Sequence, residues 1–168
     1  MAGSQDPSSG VVPRWRAMAP GDLDYVLDLA GRLYPNHPES RSSFEAKLRA
    51  APDACFVAET DGVPVGYCVA LWATCGRPPK LDEASYTAKA PVGLHLHDIA
   101  LEPSARGQGA VAAGLVRLAR LAGSSTLSLV AVEGTQALWR RHGFVEAAVD
   151  EAVRTTYGQH AVYMVLAR

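Results

Sequence analysis

Between Val12 and Met18, apolar and polar residues alternate around Trp15 with the two-residue period of a half-buried strand. Pro20-Gly21-Asp22 then opens a helix, because Leu23, Val26, Leu27 and Ala30 recur at helical spacing and fall on one face. That pattern fades at Tyr34-Pro35. A loop from Pro35 to Pro38 leads to a second helix, in which Phe44 and Leu48 share a face and Pro52 sets the end. Cys55 to Thr60 and Val63 to Trp72 flank Asp61-Gly62, a pair suited to a tight turn, and so predict an antiparallel hairpin.

From Thr74 to Val92 no period is sustained, and Gly76, Pro78, Pro79 and Pro91 break it up, which predicts a long loop with room for one helical turn. Loops of this length in compact domains tend to be functional, so it is placed over an acceptor site, with a mobile surface insertion as the alternative. A strand at Leu94 to Leu101 follows, then a helix from Gly109 to Ala122, apolar on most faces with Arg117 and Arg120 outward and Gly123 as its stop. Leu127 to Val132 reads as a buried strand, Ala137 to His142 as a short helix ended by Gly143, and Phe144 to Val149 and Ala161 to Leu166 as the last strands. Strands early and late with helices between predict an α+β class with a mixed, mostly antiparallel sheet of six to seven strands.

Composition narrows this picture. At 168 residues with 48% hydrophobic and 20% charged, the chain makes one well-buried domain, assigned to residues 11–168. Met1 to Gly10 is small, polar and turn-rich, and reads as a disordered tail or a cloning remnant. Sixteen basic against seventeen acidic residues leave a net charge of −1, which argues against nucleic acid or an anionic membrane as partner and for a small ligand. Cys55, Cys68 and Cys75 form neither a disulfide framework nor a Cys-x-x-Cys metal pair, so they read as reduced thiols of a cytoplasmic protein. No apolar run approaches the ~18 residues of a membrane span.

The stretch that carries chemistry is Leu94 to Gly114. A strand feeding a glycine loop feeding a helix is an anion site, because the first N–H groups of the helix lack internal partners and its dipole adds positive potential. Gly107 and Gly109 allow close approach of a phosphate, and Arg106 can add a forked donor. Gly107-Gln108-Gly109-Ala110-Val111-Ala112 has the spacing of a dinucleotide fingerprint, with Glu133 beyond the next strand. Against that reading, five residues, Glu102 to Arg106, separate the strand from the first glycine.

The same segment resembles motif A of the Gcn5-related N-acetyltransferase (GNAT) superfamily. The match runs through Ile99-Ala100-Leu101-Glu102-Pro103, Arg106 and Gly109, although Val111 stands where that family prefers Gly or Ala. Ala137 to Phe144 is similar to its motif B, in which a short helix ends at a Gly-Phe pair. His95-Leu96-His97-Asp98-Ile99-Ala100-Leu101 is similar to the corresponding strand of arylalkylamine (serotonin) N-acetyltransferases, and Leu71-Trp72 with the Leu81 to Ser85 loop echoes the section before it. The resemblance implies the GNAT fold with acetyl-CoA as cosubstrate. It implies that the backbone of Ile99, Ala100 and Leu101 meets the pantetheine arm and that Arg106, Gly107, Gln108, Gly109, Ala110 and Val111 hold the pyrophosphate. Trp139 stands where many relatives have a tyrosine that protonates the departing thiolate; indole cannot do this and would pack on the cofactor arm or in the core. Water, Tyr157 or Tyr163 would supply the proton.

An alkylamine acceptor must lose a proton before attack, and histidine, with an ordinary pKa of ~6.5, suits that task. His95 and His97 project from one strand face with Cα atoms roughly 6.5–7 Å apart, a gap one water can bridge. They are therefore assigned as a catalytic relay. A structural pair in the sheet is the alternative; zinc would need a third ligand that the scattered His37, His142 and His160 do not nominate, so no metal is expected. The expected activity is acetyl transfer to a small primary amine, an arylalkylamine or polyamine, by a monomer or homodimer. An acetyltransferase of protein amines and a non-catalytic acyl-CoA sensor are the other readings.

Overall fold

The computed structural model describes residues 11–167, so the expected tail, 1–10, lies outside the described residues. In chain order the elements are β1 (Arg14–Ala17), α1 (Leu23–Leu33), α2 (Arg41–Ala50), β2 (Cys55–Thr60), β3 (Val63–Thr74), β4 (Val92–Leu101), α3 (Ala110–Ala122), β5 (Leu127–Ala131), α4 (Gln136–Arg141), β6 (Phe144–Glu146), α5 (Glu151–Arg154) and β7 (Val162–Leu166). They form one seven-stranded sheet in the order β1-β2-β3-β4-β5-β7-β6. Every neighbouring pair is antiparallel except β4 and β5.

Alternating side chains along the strands feed two cores. Phe56, Cys68, Leu94, Leu96 and Leu129 pack with Leu115 and Leu118 of α3 on one face. Val57, Tyr67, Val69 and Ala100 pack with Val26 and Leu29 of α1 and Phe44 and Leu48 of α2 on the other. The β2–β3 turn has Asp61 and Gly62 at positive φ, 52° and 77°, the backbone that the Asp-Gly pair favours in a two-residue hairpin.

Gly66 sits opposite Leu101, and a Cβ there would lie 2.5 Å from Leu101 Cδ2 and 2.6 Å from the Ala100 carbonyl oxygen. Gly66→Ala is expected to cost about 1–3 kcal/mol by forcing β3 and β4 apart. Urea denaturation measures it, and an unchanged midpoint would show that the two strands do not pack this closely.

The structure departs from expectation near the end of the chain. The sixth strand stops at Glu146, short of Val149, and Asp150 then caps α5, its Oδ1 accepting the Ala152 N–H at 2.9 Å. A 3-10 turn, Thr155–Tyr157, follows. Elements this short leave no period in a sequence. The segment between β3 and β4 holds turns but no helical turn. It is tied down rather than loose. Tyr157 Oη donates to the Pro79 carbonyl at 2.7 Å, Thr156 Oγ1 accepts the Leu81 N–H at 3.0 Å, and Asp82 Oδ1 accepts from the Ser40 N–H and hydroxyl.

Candidate active site

Two irregularities in β4 build the site. β4 and β5 pair only from Leu94–Leu127 to Leu96–Leu129, after which the strands diverge and one edge of β4 leaves the ladder. On the other edge Val69 faces Asp98 while Ala70 faces Leu96, so His97 is the extra residue of a β-bulge. The bulge interrupts the alternation of side chains. Leu94 and Leu96 belong to the α3 core, yet His97 and the next residue, Asp98, both reach groups on the α1–α2 face. A cavity of about 100 Å³ occupies the divergence, bounded by Leu96 to Ile99 of β4, Leu129 and Val130 of β5, and Trp139 of α4.

A polar chain enters the cavity from α2. The Glu39 carboxylate, 6% exposed, accepts His97 Nε2–H at 2.7 Å on one oxygen. Its other oxygen accepts from Lys47 Nζ at 3.1 Å and the Ser43 hydroxyl at 2.9 Å. Lys47 is only 2% exposed, one of the most deeply buried cations of the chain. Burial alone would raise the Glu39 pKa, but His97 and Lys47 together bring it down from 4.5 to about 2. The His97 pKa is lowered by burial, against which Glu39 pulls upward. A neutral His97 that donates Nε2–H to Glu39 keeps its lone pair on Nδ1, which faces the Tyr157 hydroxyl at 3.4 Å.

Beside it, Asp98 accepts a hydrogen bond from the Tyr67 hydroxyl. Burial is the main cause that pushes its carboxyl from 3.8 up to about 7, with Glu39 adding repulsion. Tyr34, just past α1, donates its hydroxyl to the Ile99 carbonyl at 3.0 Å on the strand the cavity exposes. His95 is held differently. It is 1% exposed, its Nδ1 lies 3.0 Å from Ser128 Oγ, and its ring stacks on Tyr163 at 6.3 Å. Burial, then the nearby His97, lower its pKa well below 6.5. Among the described residues no hydrogen bond joins the two imidazoles.

Beyond Leu101, the chain turns through Pro103–Ala105 into the glycine loop. Gly107 and Gly109 take φ of 74° and 78°, and a Cβ on either would meet nothing within 4 Å, so the space above them is open. Gly109 is the N-cap of α3 and no side chain caps that end, which leaves the N–H groups of Ala110 and Val111 directed out of the helix. Arg106 is exposed and anchors only its Nε, 3.3 Å from the Leu101 carbonyl, leaving the rest of its fork available. Gln108 donates to the Ser104 carbonyl at 3.1 Å and shapes the loop. Val111 turns its side chain into the core beside Leu101 and Ala105, away from the loop's open side. An uncapped helix start, two open glycines and a free guanidinium fit a pyrophosphate.

The model of the acetyltransferase (GNAT) family matches residues 23–144, most of the chain. The chain belongs to the GNAT family. Its fold recurs in solved structures. Arabidopsis thaliana Naa50, in complex with the bisubstrate analogue CoA-Ac-MVNAL, superposes with a TM-score of 0.68 at 13% identity over 92% of this chain and 97% of that one. Ard1 from Thermoplasma volcanium gives 0.67 at 15% identity over 92% and 96%. The GNAT-like decarboxylase GphF, in complex with isobutyryl-CoA, gives 0.72 at 18% identity over 92% and 98%. No curated protein matches the sequence.

This GNAT enzyme is an N-acetyltransferase with acetyl-CoA as cosubstrate, and the glycines of the loop belong to that fold rather than to a dinucleotide fingerprint. Glu133 is exposed in the turn after β5. Of the residues singled out from sequence, His97, Ile99 and Trp139 line the cavity, whereas His95 sits behind it. Trp139, 9% exposed, packs edge-on against Phe144 at 5.9 Å, so its indole serves core and cavity wall together. Glu39, Lys47, Asp98 and Tyr34 were given no role from sequence. Asp98 alone left a signal, an acid in an otherwise apolar strand immediately after His97.

Proposed function

We propose that this GNAT enzyme acetylates a small primary amine, an arylalkylamine or polyamine, in the cavity where β4 and β5 diverge. The observation that carries the reading is the cavity itself. It has a volume of about 100 Å³ and Leu81 on its wall, and the loop bearing Leu81 is held by Tyr157 and Thr156. A compact site under a tethered loop suits a free amine better than a peptide. Arg106 and the loop from Gly107 to Val111 would hold the pyrophosphate of acetyl-CoA, and the open edge of β4 from Ile99 to Leu101 its pantetheine arm.

Acetyl-CoA supplies the activated acetyl group and a thiol leaving group. His97 takes the amine proton at Nδ1, with Glu39 fixing the tautomer and stabilising the imidazolium. His95, whose charge would repel that of His97, is the second member of the relay and exchanges with His97 through a bridging water, so the pair carries one proton at a time. Of the tyrosines considered as proton donors, Tyr157 lines the cavity, while the Tyr163 hydroxyl accepts the Gly76 N–H at 3.1 Å outside it. The three free cysteines, Cys55, Cys68 and Cys75, support a cytoplasmic site of action.

The peptide-bearing analogue bound to Naa50 favours a second reading, transfer to a protein N-terminus. Thiol release from acetyl-CoA against phenethylamine, putrescine and an unblocked peptide separates the two. Faster release with the free amines is expected. Release with the peptide alone would replace the small-amine reading, and tight acetyl-CoA binding without release on any amine would favour a sensor.

A further inference from the structure

The cavity contains two carboxyl groups that differ in how their charge is met. Glu39 is fully compensated, with Lys47 on one oxygen and His97 on the other. Asp98 is not. It is enclosed by protein and opens onto the cavity, and its partners are the Tyr67 hydroxyl from β3 and the Ile99 backbone N–H. Among the described residues it forms no ion pair. Around it, Glu39 repels its charge and Lys47 attracts it only weakly, being committed to Glu39; Tyr34, Tyr157, Cys68 and the adjacent His97 are the other titratable groups near it. A carboxyl withdrawn from water without a cation is an unfinished pair.

We propose that Asp98 is the anchor for the ammonium group of the acceptor, and that the cavity therefore selects a monoamine with an apolar body. This deepens the small-amine reading and rests on it. One uncompensated carboxylate matches one positive charge. Of the other walls, Leu81, Leu129, Val130, Val132 and Trp139 offer apolar contact to the body of the ligand; the polar ones, Tyr34, His37, Thr135 and Tyr157, bring no carboxylate, and Glu39 is already committed to Lys47 and His97, so a second ammonium finds no free counter-charge. The bulge gives the anchor its use. Because His97 and Asp98 are consecutive and both turn to the α1–α2 face, an ammonium held by Asp98 lies beside the imidazole that takes its proton.

Carboxyl-carbon NMR of the full-length enzyme with CoA present, run alongside steady-state kinetics, tests the assignment. Phenethylamine is expected to lower the pH at which the Asp98 carboxyl titrates by about one unit or more, as a cation at that distance does. Asp98→Asn is expected to raise the phenethylamine KM about 30-fold, the loss of one charged hydrogen bond, and to leave acetyl-CoA binding by calorimetry unchanged. Putrescine is expected to show kcat/KM about tenfold or more below phenethylamine. A carboxyl that does not respond while phenethylamine is acetylated overturns the anchor and leaves the small-amine reading intact, as does an unchanged KM in the variant. Equal use of putrescine overturns the monoamine selection. If phenethylamine moves the carboxyl but is never acetylated, the anchor stands and the small-amine reading falls.

Discussion

His97→Gln lowers kcat/KM for the amine by about 100- to 1,000-fold, the range over which a positioned general base acts. Three features of the site lead to this. The ring lines the cavity, Glu39 holds Nε2–H at 2.7 Å, and Nδ1 faces the Tyr157 hydroxyl rather than a carbonyl. Glutamine keeps the bond to Glu39 but supplies no basic nitrogen. The pH profile distinguishes a base from a strut. Because burial lowers the His97 pKa, its limb lies on the acid side of 6.5, below the limb set by the Asp98 carboxyl at about 7, and in the variant the more acid limb disappears while that of Asp98 remains. Acetyl-CoA affinity, which depends on the loop at Gly107 to Val111, stays unchanged. A variant that loses rate evenly at every pH would assign His97 to positioning and remove it from proton transfer.

Lys47→Met destabilises the fold by about 3–5 kcal/mol, the cost of leaving a buried charge without its partner. Lys47 and Glu39 are both almost fully enclosed, and methionine keeps the volume while removing the charge. Urea denaturation measures the loss. The Glu39→Gln/Lys47→Met double variant is more stable than Lys47→Met alone, because no lone carboxylate remains. The pH dependence has a definite sign. The Glu39 pKa falls from 4.5 to about 2 on folding, so its contribution is fully present above pH 4.5 and is lost as the pH falls toward 2. That loss amounts to about 3 kcal/mol in the wild type and is smaller in Lys47→Met, where one of the two groups that lower the pKa is gone. Equal stability of the wild type and Lys47→Met would mean that Glu39 is satisfied by His97 and Ser43 alone.

The GNAT loop could be read in sequence because all of its parts are contiguous. The strand to Leu101, Arg106, the two glycines and the helix they start follow one another in 29 residues, from Leu94 to Ala122, and each part carries a local signal of periodicity or backbone freedom. The short helix ended by Gly143 was legible for the same reason, since its φ of 89° is a backbone need that glycine advertises. The His95–Leu96–His97 alternation also put both imidazoles on one face, as the strand period requires. What it could not show was that the two would have different neighbours. His95 lies where β4 still pairs with β5 and meets Ser128; His97 lies at the first position beyond that pairing and meets the cavity.

The sequence by itself determined the seven strands, their α+β class, the hairpin at Asp61-Gly62 and the glycine loop that starts α3, because these follow from hydrophobic period and local backbone preference. Only the tertiary structure decided the rest of the site. Glu39 is 58 residues from His97 and Tyr157 is 60 residues from it, and no local pattern specifies contacts of that span. The placement of β7 between β5 and β6, the point where β4 and β5 separate, and the bulge that turns His97 and Asp98 to one side all depend on how neighbouring strands twist and pack. Burial then sets the chemistry. Asp98 becomes a weak acid and Glu39 a strong one because one lacks a cation and the other has Lys47 together with the His97 imidazole donor, and that difference exists only once the chain has closed around them.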